Sequence, residues 1–112
     1  MGTVSFIGGV VDVTIADGQT SSNVVETQQQ CADADALAIY GPATLAETCT
    51  IAVSQDGTTF VTLSDGSADI APPLAGKGRQ YTELLGFRYW KFVAGSAVGA
   101  TRTWKVDKQW TV

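Results

Sequence analysis

At 112 residues the chain has the length of one small domain, long enough to bury roughly two thirds of its unfolded surface without metals or staples. Hydrophobic residues make up 45% and charged residues 16%, a globular composition with a thinly charged surface. A net charge of −4 gives no basic footprint for nucleic acid, and no apolar run approaches the ~20 residues of a membrane span. The opening residues carry neither a signal-peptide nor a myristoylation pattern, so the expectation is folding in a cytoplasm, with no nucleic acid and no membrane as partner.

In chain order, residues 3–7 begin a strand in which Val4 and Phe6 can point inward, and Gly8-Gly9 interrupts it. Residues 10–16 resume, with Val11, Val13 and Ile15 on one face and Asp12 and Thr14 on the other. Residues 17–23 read as a loop. Residues 24–30 are polar and suit an edge strand, with Gln28, Gln29 and Gln30 facing solvent or another molecule. Residues 37–40 form a short apolar strand stopped by Gly41-Pro42.

Residues 50–65 carry the strongest hairpin signal. Ile51 and Val53 alternate with Thr50, Ala52 and Ser54; Asp56-Gly57 supplies a tight turn; and residues 58–63, rich in β-branched and aromatic side chains, return as the partner strand. Another turn surrounds Gly66, and Pro72-Pro73 forces an extended segment without pairing. Residues 75–78 read as flexible. Residues 86–93 are the densest apolar stretch, with Trp90, Phe92 and Arg88 on one face and Phe87, Tyr89, Lys91 and Val93 on the other. After a small-residue loop, residues 101–112 put Trp104, Val106, Trp110 and Val112 on one face and Thr103, Lys105, Asp107 and Gln109 on the other. No convincing helix is visible. Seven to nine short strands with regularly spaced turns predict an all-β, single-domain antiparallel β-sandwich over residues 1–112, jelly-roll-like. Ile51, Val53, Leu63, Trp90, Phe92, Trp104 and Val106 are its expected core.

The chemistry of the side chains points away from an enzyme. Without histidine, the commonest general base and metal ligand is missing, and neither a Ser-His-Asp nor a Cys-His arrangement can be built. Cys31 and Cys49 lack the paired ligands of a zinc site. A bridge between them and two reduced, buried thiols are both open, and the absence of an export signal favours the thiols. Asp33 and Asp35 form a D-x-D that reads as a solvated turn sooner than a calcium loop. No glycine-rich loop opens a helix, and no carboxylate pair stands out for glycoside hydrolysis. The expectation is no catalytic residue, no metal and no cofactor.

Two patterns bear on partners. Residues 1–76 hold nine acids and no base, whereas residues 77–112 hold seven bases and two acids. Interleaved strands that mix these charges are the first expectation, and a polar molecule whose acidic side meets a neighbour's basic side is the second. The strand at residues 86–93 is apolar on both faces, so a second layer of this chain or a second subunit must cover the outer one. Tyr89, Lys91, Arg88 and Arg102 are the candidate subunit or capsid contacts.

The run I-A-V-S-Q-D-G-T-T-F-V-T-L, followed by F-R-Y-W-K-F-V, resembles the paired strands of discoidin-like jelly rolls. Short, cysteine-poor chains of this style also resemble the capsid decoration (cement) proteins of tailed bacteriophages. That resemblance implies a non-enzymatic virion protein on the capsid surface, assembled in the host cytoplasm, with the major capsid protein and its own copies, as a trimer, for partners. A carbohydrate-binding or tail-fibre/baseplate module is the alternative, and a head–tail or tail-tube component a third.

Overall fold

The computed structural model describes residues 4–32 and 34–111. Eight strands run through it: β1 (Val4–Ile15), β2 (Val25–Glu26), β3 (Ala36–Tyr40), β4 (Cys49–Ser54), β5 (Phe60–Thr62), β6 (Gly78–Tyr81), β7 (Tyr89–Ala94) and β8 (Arg102–Thr111). One sheet has the order β1-β8-β3-β6 and the other β2-β7-β4-β5. The order has a simple origin. β1 pairs with β8, β2 with β7, β3 with β6 and β4 with β5, as if the chain were one long hairpin turning at residues 55–59. Rolling that ladder brings β3 onto β8 and β4 onto β7, closing two facing antiparallel sheets. This is a jelly roll.

The core fills the space between the sheets. Val13, Ile15, Leu37, Ile39, Trp104 and Val106 enter from one sheet, and Ile51, Val53, Trp90 and Phe92 from the other, all buried. All seven expected core residues are there. The Phe92 and Trp104 rings meet edge to face across the layers with centroids 5.1 Å apart, and Trp90 adds a tilted contact to Phe92 at 5.5 Å. The Pro72-Pro73 segment does run outside the sheets, and two polar tips hold it down. Trp104 Nε1 donates to the Pro73 carbonyl at 2.9 Å, and the Tyr81 hydroxyl donates to the Ala71 carbonyl at 2.6 Å.

Several elements differ from the sequence reading. β1 continues through Gly8-Gly9 as one strand, and the glycines sit where its register against β8 slips between Phe6 and Val10. The expected inward placement of Val4, Phe6 and Val112 falls outside the described side chains. Only Val25 and Glu26 of residues 24–30 pair as a strand; a single helical turn, α1 (Thr27–Gln30), follows, held by the Gln30 Oε1 acceptor for the Glu26 N–H at 2.8 Å. A 3₁₀ turn over Glu83–Gly86 delays β7 until Tyr89. Both turns are too short to show a helical period. β6 lies partly in the segment expected to be flexible, and pairs there because Arg79 and Gln80 align with Ile39 and Ala38.

Charge mixes as the first of the two expectations had it. Asp12 of β1 meets Lys105 of β8 at 2.9 Å, and Glu47 from the acidic part of the chain holds Arg102 from the basic part at 3.0 Å.

Candidate docking surface

β7 lies inside its sheet, between β2 and β4, so it has one face toward the core and one away from it. Trp90, Phe92 and Ala94 point inward; Tyr89, Lys91 and Val93 point out and are half-buried. The register sets Glu26, Tyr89, Ser54 and Phe60 in one row across the sheet, and Lys91, Ala52 and Thr62 in the next. The question of what covers this outer face has a partial answer within the chain. The Tyr89 ring lies over the β4–β5 loop, where a Cβ on Gly57 would stand 3.4 Å from it. The Lys91 ammonium sits 4.4 Å from the Phe60 ring centroid, a cation–π contact. Val24, next to β2, stays 41% exposed.

The loop that carries Gly57 is stiff for a local reason. Asp56 Oδ1 accepts the N–H groups of Thr58 at 2.8 Å and Thr59 at 2.9 Å, while the Ser54 hydroxyl donates to the same oxygen at 3.0 Å. These bonds, the one from Thr59 foremost, hold the Asp56 carboxyl below the usual carboxylate range. Gly57 takes a φ of 81°, a left-handed value open to glycine at little cost. The turn is therefore a five-residue loop, Gln55 to Thr59, wider than the tight Asp-Gly turn expected.

Beside this loop the sandwich has an open mouth. Val61 pairs directly with Val53, so both side chains lie on the core-facing side of the sheet. Val53 is 3% exposed and Val61 is 64% exposed. β5 is the edge strand of its sheet, and Val61, near the β4–β5 loop, is left uncovered there while Leu63 two residues on is buried. A cavity of about 450 Å3 opens there, lined by Val53, Val61, Phe87 and Arg88 with Ser54 and Gln55. A second hollow of about 310 Å3 lies on the other flank of residues 86–88, against Glu26, Thr27 and Gln28. The Gly86–Arg88 ridge between them is anchored from α1: Thr27 donates its N–H to the Arg88 carbonyl at 2.9 Å and its hydroxyl to the Phe87 carbonyl.

Of the four candidate contacts, Tyr89, Lys91 and Arg88 are brought together at this end of one sheet. Arg88 is exposed and stands 6.0 Å from the Tyr89 ring centroid. Among the described residues, neither Arg88 nor Lys91 has a carboxylate within ion-pair distance. Arg102 is elsewhere. It sits in β8 of the opposite sheet, 7% exposed, with its guanidinium on Glu47 Oε1 and Oε2 at 3.0 and 3.2 Å and on the Thr44 carbonyl and hydroxyl at 3.2 and 2.9 Å. Its charge is used inside the chain. Alternation along the sequence puts Val61 with Leu63 on the core side, and only the strand order reveals that it is uncovered.

Cys31 and Cys49 are free, buried thiols. Burial pushes Cys31 up to about 11 and also raises Cys49, so neither thiolate forms readily near neutrality. Asp33 lies outside the described residues. Compared with protein-family models, with curated proteins and with solved structures, the chain matches none of the three.

Proposed function

We propose that this chain is a non-enzymatic virion structural protein, a head-decoration protein that docks on the outer surface of a phage capsid shell and stabilises it. The observation that carries the reading is the uneven side of the β2-β7-β4-β5 sheet. Its outer face carries exposed Val24 and a Phe60 ring capped by Lys91, and its open edge exposes Val61 on the core-facing side. Among the described residues Arg88 and Lys91 have no acidic partner, on a chain whose net charge is −4. Apolar groups with adjoining unneutralised cations suit a contact with an acidic protein surface. The short, cysteine-poor style of the whole chain, which resembles cement proteins, supports the same reading, and that resemblance implies a trimer as the docked form.

Such a protein acts by mass action. A subunit that binds only the intact shell stabilises it by RT ln(1 + [L]/Kd), and many copies add. Particles assembled without the chain should release their genome at lower temperature or milder osmotic shock than particles carrying it. Equal survival would remove the cement role.

A second reading is a carbohydrate-binding module, favoured by Tyr40. Its ring is 48% exposed on the outer face of the other sheet, beside Gly78 and opposite Lys105, which pairs with Asp12. A flat aromatic among polar neighbours can stack on a sugar. Saturable binding to a glycan array that Tyr40→Ala abolishes would favour this reading over docking on a shell.

A further inference from the structure

We infer that the mouth beside β5 is a receptor for a single branched aliphatic side chain that stands next to a carboxylate on an extended segment of the docking partner. This rests on the docking reading and names the chemistry that the partner must present. Three observations converge. Val61 lies on the core-facing side of its strand yet is 64% exposed, so the apolar surface that begins at buried Val53 extends to an uncovered side chain at the edge of the sandwich. The cavity there, about 450 Å3 and lined by buried Val53 with Val61 and Phe87, is roomy enough to admit a branched aliphatic side chain together with part of the segment that carries it. Arg88 stands on that rim, exposed and without a carboxylate of its own among the described residues.

The neighbouring acid does not fulfil that role. Glu26 lines the second hollow, which Arg88 also borders, yet forms no ion pair with Arg88. The walls are also held in place before any partner arrives. Asp56 and Ser54 fix the β4–β5 loop on one side, and Thr27 fixes the Phe87 and Arg88 carbonyls on the other. A preformed mouth loses little freedom on binding. An incoming Leu or Val side chain would cover Val61 and Val53, and an adjacent Glu or Asp would reach the forked donors of Arg88.

Titration of the isotope-labelled chain with acetyl-Leu-Glu-amide and with acetyl-Leu-Gln-amide, followed by amide chemical shifts, tests this. Saturable shifts should concentrate at Val61, Phe87 and Arg88, with the Glu peptide binding about fivefold tighter at low salt, the scale of one exposed ion pair. Arg88→Gln should erase the difference between the two peptides, and Val61→Thr should weaken both; each residue is exposed, so the fold survives either change. Shifts that are absent, scattered over other strands, or equally selective in Arg88→Gln would overturn the proposal. The outcome is separable from the shell reading. Peptide binding here by a chain that ignores particles would count against the shell and for the mouth, whereas particle binding undisturbed by both variants would count against the mouth alone.

Discussion

Two buried tryptophans of the same size carry different polar obligations. Trp104 donates its Nε1–H to Pro73, whereas Trp90 Nε1 is buried with no acceptor among the described residues. Truncating Trp104 to Ala should cost about 3–5 kcal/mol, the range for a large buried aromatic. The paired substitutions to Phe are more telling. Trp104→Phe leaves the Pro73 carbonyl without its donor, so it should destabilise by about 1–2 kcal/mol more than Trp90→Phe in urea melts. Equal losses would mean that the Pro73 hydrogen bond contributes nothing. Carboxylates set the response to acid. Glu47 is held low chiefly by its bond from Arg102, and Asp56 and Asp65 by backbone N–H donors, of Thr59 and Ser67 first. Groups depressed in the folded state contribute fully above their unfolded values near ~4 and lose that contribution as pH falls through the folded ones. The melting temperature should therefore drop steadily below about pH 4. Glu47→Gln should flatten part of that drop and lower the melting temperature at pH 7, and an unchanged acid profile would contradict the assignment.

At the scale of the elements, two glycines decide how loops close on strands. Gly57 takes a φ of 81°, while a Cβ there would only touch the Tyr89 ring at 3.4 Å, so Gly57→Ala should destabilise by about 1–2 kcal/mol through its backbone and Gly57→Asn, whose side chain tolerates that region better, by less. Gly41, directly after β3, is more constrained: a Cβ there would stand 2.0 Å from the Leu74 carbonyl oxygen. Its N–H also donates to Lys77 at 2.7 Å, so Gly41→Ala must push the 74–77 turn away and should cost more than Gly57→Ala by thermal melt. Neither close approach was legible in the sequence. What was legible is whatever alternates. Ile51 and Val53, Trp90 and Phe92, and Trp104 and Val106 each show their core face through a period of two, and these residues do form the core. β6 hid because Gly78 and the polar pair Arg79-Gln80 show no alternation; they pair through their backbone on the rim of a sheet. The mouth hid for the opposite reason. Val61 has the pattern of a core residue, and only the edge position of β5 leaves it uncovered.

On the scale of the whole molecule, the acidic and basic stretches of the sequence become neighbours. Asp12 on β1 meets Lys105 on β8, and Glu47 meets Arg102, so these charges from the two stretches offset one another. What survives is local, at the β7 end of one sheet: Arg88 at the apolar mouth and Lys91 on the outer face over Phe60. Docking on the proposed reading should therefore weaken with added salt, because exposed pairs are screened. Trimer formation, if it accompanies docking, should be visible by sedimentation at high concentration or on the particle. The most direct measurement is occupancy of the purified chain on capsids assembled without it, read together with the temperature of genome release. The account predicts saturable occupancy that raises the release temperature, with Arg88→Glu reducing both at unchanged melting of the free chain. No occupancy, or occupancy that leaves the release temperature where it was, would contradict it.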